Sequence, residues 1–401
     1  MNILFLTIGS LYNIEEHAIY TDLLRSFRDN GHEVYSVSTY EKRFKKKTDY
    51  SIDSGIHTLR VKVGNLTKCN IIEKGISTVM INSQYRKAIK KYLSDIKFDL
   101  VLYSTPPVTL VGAVKYVKRR DNARTYLLLK DIFPQNAVDI GMMTKSGIKG
   151  FLYKYFRNKE KKLYAVSDKI GCMSQANVDY VLKHNKDVSA EKVEICPNCI
   201  EVQNISYSEE ERIKTRDYYG IPQDKKVFVY GGNLGRPQSI SFIVECLKAC
   251  ADFEDTYFLI IGNGTDRYIL EEYIKKENPS HVKLLNLIPN DEYNKIIACC
   301  DVGLIFLDYR FTIPNFPSRL LSYMQVGIPV LASTDKNTDI GKVVVDGGFG
   351  WSCESNNAKA FSEIVANVGD FSQRAELGKN GLAYLKKNYT TEQIYKIIIK
   401  E

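Results

Sequence analysis

The sequence predicts two successive doubly wound α/β domains, and three observations carry that prediction. Apolar strand segments alternate with helical segments along the whole chain, the signature of a parallel sheet. The pattern restarts after a polar stretch at 202–222. At 401 residues the chain is also too long for one ordinary core.

The elements follow in order. "NILFLTIG" reads as the first strand and "AIYTDLLRSFRDNGH" as an amphipathic helix ending at Gly31. "EVYSVST", "FDLVLYST", "RTYLLLKD", "DKIGCMS" and "KVEICPN" are further strands of the first half. The second half opens with the strand "KKVFVYGG" and the helix "SISFIVECLKACADF". "TYFLIIGNG", "VKLLNLIPN", "DVGLIFLD" and "PVLAS" complete its strands. The predicted domains are 1–205 and 206–380, with a terminal helix at 381–401 returning to the first domain. Ligands of open α/β sheets bind beyond the carboxyl ends of the strands. The loops after "FLTIG", "LLLKD", "VFVYGG", "LIIGNG" and "LIFLD" are therefore the expected functional edges.

Composition narrows the class. The chain is 44% hydrophobic and 26% charged, as in a folded soluble protein. The start lacks a basic n-region and no apolar run would span a bilayer, so no signal peptide and a cytoplasmic location are expected. Nine cysteines lack framework spacing, which suits reduced thiols. "CPNC", Cys196 to Cys199, has metal-ligand or redox spacing but no second pair to complete a zinc site. The five histidines (17, 32, 57, 184 and 281) show no ligand spacing, and Asp-x-Asp and Gly-x-Ser-x-Gly are absent. No metal site is expected.

Charge is asymmetric. Residues 1–200 hold 33 Lys and Arg against 20 Asp and Glu; totals of 56 and 47 leave 23 against 27 for the rest. A basic half facing anionic lipid or a polyanion is the usual cause. "KRFKKK" (42–47), "KYVKRR" (115–120) and "SGIKGFLYKYFRNKEKKLY" (146–164) concentrate it. In the last, Ile148, Phe151, Leu152, Tyr155 and Phe156 share a helical face amid lysines. That is the pattern of an interfacial helix, and equally of a helix packed on its own sheet. No recognised nucleic-acid module is present, so nucleic acid is not an expected partner.

Three loops could hold an anion. "VYGGNLGRPQSISF" puts Gly231, Gly232 and Gly235 between strand and helix, with Arg236 supplying charge. An ordinary strand–helix turn would look the same. It is neither a Walker A loop nor a complete dinucleotide fingerprint. "IIGNGTDR" adds Gly262 and Gly264. "FTIPNFPSRLLSYMQVGIPVLAS" places Pro317, Ser318 and Arg319 at the start of a short helix that Gly327 and Pro329 end, with Ser318 as the expected cap. Together they imply a nucleotide diphosphate. In "LLLKDIFPQNAVDIG", Lys130 and Asp131 end a buried strand, either as catalytic candidates or as a strand-terminating turn.

In this order the motifs resemble glycosyltransferase family 4 of the GT-B fold, in which two Rossmann-like domains face across a cleft. "RDNGHEVYSVST", "KDIFPQNAVDIG", "VEICPNCIE", "VYGGNLGRPQS", "IIGNG" and "FPSRLLSYMQVGIPVLAS" carry the likeness over nearly the whole chain. It is similar to the bacterial surface-polysaccharide subgroup that includes N-acetyl-fucosamine transferases. The resemblance implies a retaining, metal-independent hexosyltransferase without a cofactor. Its donor would be a nucleotide-diphosphate sugar, UDP-linked by expectation. Its acceptor would be a polyprenyl-diphosphate-linked or other glycan of capsule or O-antigen assembly, met at the inner face of the membrane. Gly232, Asn233, Arg236, Gln238, Gly262, Gly264, Pro317, Ser318, Arg319 and Ser322 would bind the donor, and Lys130, Asp131 and Arg236 would act at the reacting centre. The family's Glu-x7-Glu positions are here Pro314 and Ser322; its diphosphate clamp falls on Asn233 and Gln238, and its acceptor-domain His on Lys130. Arg236 and Arg319 are the expected replacements for the clamp, because a departing diphosphate needs cationic help. A sugar-nucleotide epimerase and a non-catalytic scaffold on the same fold are the alternatives.

Overall fold

The computed structural model describes residues 1–67, 69–205 and 207–400, and for Ile71, Ile72, Ile148, Lys149, Asn290 and Asp291 the backbone alone. The chain divides into two compact units, Met1–Glu201 with Thr391–Glu401, and Val202–Thr390.

The first unit is built on eight strands: β1 (Asn2–Leu6), β2 (Glu33–Glu41), β3 (Asp49–Asp53), β4 (Ile56–Val63), β5 (Leu100–Ser104), β6 (Arg124–Leu129), β7 (Lys169–Cys172) and β8 (Val193–Ile195). Their order is β3-β4-β2-β1-β5-β6-β7-β8, and every pairing is parallel except the hairpin β3–β4. Helices α1 (Ile19–Asp29), α2 (Ile71–Tyr92), α3 (Val111–Asp121), α4 (Gln135–Asp139), α5 (Gly147–Val166) and α6 (Gln175–His184) connect them. The hairpin was not read from sequence. Its signal is "IDSGIH", where Ser54 and Gly55 both have positive φ (49° and 77°), the geometry a two-residue hairpin needs.

The second unit contains α7 (Glu209–Tyr219), β9 (Lys226–Asn233), α8 (Ile240–Ala249), β10 (Thr256–Asn263), α9 (Arg267–Glu277), β11 (Val282–Leu285), α10 (Asn290–Ala298), β12 (Val302–Phe306), α11 (Arg319–Gln325), β13 (Val330–Thr334), α12 (Ile340–Asp346), β14 (Gly350–Glu354), α13 (Ala358–Ala366) and α14 (Phe371–Asn388). Its sheet is wholly parallel in the order β11-β10-β9-β12-β13-β14. Numbered from β9, this is 3-2-1-4-5-6, the doubly wound order whose direction reverses between β9 and β12. Both sheet faces are covered, and Phe228, Phe258, Leu304 and Phe361 meet in a fully buried core.

The polar stretch 202–222 is not all linker. Ser208 and Glu211 form a capping box that starts α7. From α7, the fully buried Arg216 donates to Asp301 Oδ2 (2.7 Å) and to the Cys299 carbonyl (2.9 Å), tying the helix to the sheet. The last helix, α15 (Thr391–Ile399), packs on α1 and puts Ile394 and Ile398 into the first unit's core. The return to that unit therefore begins at Thr391, and α14 stays in the second unit.

Candidate functional site

In the second unit, the reversal of strand order puts the loops after β9 and β12 side by side, and the Asp308 amide donates to the Pro237 carbonyl between them (2.9 Å). Gly232 has φ +132°, a conformation that disfavours any side chain. A Cβ on Gly231 would lie 2.0 Å from the Tyr293 hydroxyl oxygen, so that glycine admits α10 against the strand end. Arg236, in the 3-10 turn Arg236–Gln238, is exposed and makes no side-chain hydrogen bond or ion pair with the described residues. It is a free guanidinium beside the glycine turn.

Arg319 is placed differently from expectation. Its side chain turns inward, with the guanidinium carbon 4.2 Å from the centroid of the Tyr230 ring. Its Nη1 is buried and without a hydrogen-bond partner, and Nη2 lies 3.1 Å from where a Cβ on Gly232 would be. The charge therefore sits beneath the glycine turn, beside the strand end. Tyr323, from α11, closes the cluster by donating to the carbonyls of Val229 (3.1 Å) and Leu304 (3.2 Å).

Ser318 does not cap α11. Its own backbone is already helical (φ −65°, ψ −17°), so its hydroxyl makes no capping bond. The amides of Leu320 and Leu321 donate to the carbonyls of Pro317 and Ser318 (3.2 and 3.0 Å), which satisfies two of the amides expected to meet an anion. The loop ahead of α11 is pinned from the neighbouring turn. Thr338 Oγ1 accepts from the Asn315 amide (3.0 Å) and donates to Asp335, and Asn337 donates to the Phe311 carbonyl (2.7 Å). Ser322 is half-buried on α11.

Asn233 and Gln238 hydrogen-bond each other at 2.8 Å, Asn233 donating, so the two amides partly satisfy one another. Gly262 and Gly264 are explained by packing. A Cβ on Gly262 would fall 1.9 Å from the Gly232 carbonyl oxygen, and one on Gly264 2.2 Å from that of Leu234. Their smallness lets two strand ends and their loops close together, a packing reason for glycine at both positions. Arg267, which the sequence reading passed over, fastens that edge by donating to the carbonyls of Gly262 and Leu285.

In the first unit, the strand order reverses between β1 and β5. Ser104 donates to Thr7 there (3.3 Å), and Thr105 bonds both the Lys130 amide and the Asp131 carbonyl. Burial pushes the Asp131 carboxyl up to about 6. Burial also lowers Lys130, against the opposing influence of the Cys196, Cys199 and Cys172 thiols around it, and its Nζ reaches the Cys196 carbonyl at 3.4 Å. The nine cysteines are all free, and those of "CPNC" are buried with their thiols held up by burial.

Among the described residues, His17, Asp22 and Glu201 form the one group with metal-ligand spacing. Arg25 Nη2 lies among them, 2.6 Å from Asp22, 3.0 Å from Glu201 and 3.2 Å from His17. A guanidinium thus holds the place a cation would take. Among the described residues, no helix is long and apolar enough to cross a membrane.

The fold is that of the GT-B class, two α/β units each on a mainly parallel sheet. The crystal structure of Anabaena HepE in complex with UDP and glucose is similar over 99% of this chain and 98% of that one, with TM-score 0.71 and 15% identity. The family model described as "Glycosyl transferases group 1" matches residues 211–382, within the second unit. Among curated proteins, the probable glycosyltransferase WbjE of Pseudomonas aeruginosa is 24% identical over 297 residues, 73% of this chain and 71% of WbjE. The putative colanic acid biosynthesis glycosyl transferase WcaI of Escherichia coli K12 is 21% identical over 248 residues, 62% of this chain and 60% of WcaI.

Proposed function

We propose that the chain is a glycosyltransferase of polysaccharide biosynthesis that takes a UDP-sugar in its second unit. The observation that carries this reading is the pair of cations at the β9 end: the exposed Arg236, in the turn that follows Gly232, and Arg319 beneath the glycine turn. They stand at the strand-order reversal, where doubly wound sheets take ligands. The match of residues 211–382 to the glycosyl transferase model and the UDP in the HepE crystal support it.

In this reading the diphosphate lies over Gly232 with Arg236 as its direct partner. Arg319 adds its field through a thin, poorly solvated layer, where a charge acts strongly. As the sugar–phosphate bond lengthens, negative charge gathers on the diphosphate and both guanidiniums stabilise it. Transfer proceeds with retention and without a metal, the departing phosphate taking the acceptor proton. Lys130 and Asp131 of the first unit face the acceptor, a lipid-linked saccharide of capsule or O-antigen assembly at the inner face of the membrane.

A thermal-shift screen with UDP, GDP and ADP, followed by donor turnover with and without acceptor, tests the reading. Stabilisation by UDP above the others and turnover only with acceptor are expected. Donor conversion without acceptor would make the chain an epimerase, and no response to any nucleotide would leave a scaffold.

A further inference from the structure

Tyr12 and Phe44 stand at the carboxyl edge of the first sheet with their rings open to solvent, 44% and 43% exposed. Tyr12 lies in the loop after β1, and Phe44 ends the 3-10 turn Lys42–Phe44 that follows the neighbouring strand β2. The two rings meet edge to face with centroids 6.1 Å apart, and Tyr12 stacks on the buried Tyr40 at 5.7 Å and 16°. Both loops are fixed from below. The buried Arg60 donates to the carbonyls of Leu11 (2.9 Å) and Tyr12 (3.5 Å). The Asn65 side chain accepts from the Arg43 amide (2.9 Å), and Arg43 Nη2 donates to Glu41 (3.1 Å) and Thr67 (2.8 Å). One exposed aromatic ring is ordinary, but two held against each other on the ligand-binding edge of a doubly wound sheet are a prepared surface.

Cations surround the rings. Lys46 Nζ lies 5.4 Å from the Tyr12 centroid and 4.8 Å from that of Tyr40, and the Arg43 guanidinium carbon lies 4.8 Å from that of Phe44. Lys42, Lys45, Lys46 and Lys47 are exposed and make no ion pair with the described residues. The nearby acids are already engaged. Glu41 accepts from the Leu66 and Thr67 amides (3.0 and 3.1 Å), and Asp49 and Asp53 lie 3.9 and 3.3 Å from Arg60. Lys42 also lines a cavity of about 1030 Å³ with Lys62, Asn70 and Glu73, which leaves room beside the rings for further sugar residues.

We propose that Tyr12 and Phe44 form a stacking platform for a pyranose ring of the acceptor, and that this acceptor is an anionic saccharide whose carboxylate or phosphate is held by Lys42 and Lys46. A pyranose presents a flat face of C–H groups with slight positive charge, which complements the negative face of an aromatic ring. The unpaired lysines select a charged sugar over a neutral one, because only an anion matches their potential. The inference rests on the proposed glycosyl transfer and deepens it by naming the class of acceptor.

The test is saturation-transfer NMR and calorimetric titration of the full chain with four probes. They are a hyaluronan tetrasaccharide (carboxylate), maltose 1-phosphate (phosphate), chitotetraose (neutral) and inorganic diphosphate (no sugar). At least one anionic saccharide should bind ~10-fold or more tightly than chitotetraose and inorganic diphosphate, and its margin over chitotetraose should shrink with salt. The tighter of the two names the anion. Tyr12→Ala with Phe44→Ala should lose ~10-fold or more of that binding while the UDP thermal shift stays as in wild type. Tyr12→Phe with Phe44→Tyr, which keep the rings, should retain it. Lys42→Gln with Lys46→Gln should abolish the preference for the anionic saccharide and leave chitotetraose binding as in wild type. Equal binding of neutral and anionic saccharides, inorganic diphosphate bound as tightly as either, or unchanged binding by the double alanine variant overturns the proposal. A UDP response without binding of any saccharide overturns it too and leaves the proposed function standing. Saccharide binding without any nucleotide response does the reverse.

Discussion

Arg319 and Tyr230 are stacked, the guanidinium carbon 4.2 Å from the ring centroid, and the pair underlies Gly232 at the end of β9. A desolvated cation over a phenol ring is worth about 2 kcal/mol, but taking the guanidinium from water offsets that gain. Its net value to stability is thus small, while its field at the glycine turn is undiminished by solvent. Arg319→Met, which keeps the packing and removes the charge, should lower UDP affinity ~10-fold or more with little change in unfolding free energy. Isothermal titration and denaturant melts would check it. Unchanged affinity would remove Arg319 from the site.

Arg236 offers the complementary case. It is exposed and unpaired, so Arg236→Ala should shift stability by no more than about 0.5 kcal/mol. A lost charge-assisted contact to phosphate costs roughly 1.5–3 kcal/mol, or about 10- to 100-fold in UDP affinity. Adding NaCl should weaken wild-type binding and leave the variant less affected. Equal affinity in the two proteins would send the diphosphate elsewhere.

Gly262 separates backbone strain from steric exclusion. At φ +158° it stands where a Cβ would come within 1.9 Å of the Gly232 carbonyl oxygen, whereas Gly31 (φ +79°) has nothing within 4 Å. Gly31→Ala should cost about 1 kcal/mol, the strain alone. Gly262→Ala should cost about 3 kcal/mol or more, because β9 and β10 must part. Urea denaturation of both variants gives the comparison, and equal costs would mean the strand ends are free to separate.

These contrasts mark what sequence could and could not carry. Periodicity and punctuation reveal most strands, and they place the loops around Arg236, Arg319 and Asp131 at strand ends, because those signals are local. The β3–β4 hairpin and β14 were missed, the latter because "GGFGWSCE" is short and opens on glycines. The inward turn of Arg319 depends on Tyr230, 89 positions earlier, and no local pattern encodes it. Gly262 and Gly264 look like ligand glycines in sequence, yet each faces a carbonyl from the β9 segment. Ser318 has the right residue type and spacing for a cap, but its own backbone is already helical.

Asp131 provides a pH test with a definite sign. Burial raises its carboxyl to about 6, above the ~3.9 of an unfolded chain. Between these values the unfolded state has released a proton that the folded state still holds, so stability falls as pH rises from about 4 to 6 and levels off above it. The shift of about two units corresponds to roughly 2–3 kcal/mol. Asp131→Asn carries no such proton. Its unfolding free energy relative to wild type should therefore rise by about that amount between pH 4 and pH 7 and then stay constant. If the ionised carboxylate orients the acceptor, wild-type turnover should climb through pH 6. In the Asn variant turnover should be ~10-fold lower or less and lack that limb, with UDP affinity unchanged if the nucleotide is held by the other unit, as proposed. A stability difference that is flat across pH 4 to 7 would mean the carboxyl is solvated in the folded chain, and would withdraw both expectations together.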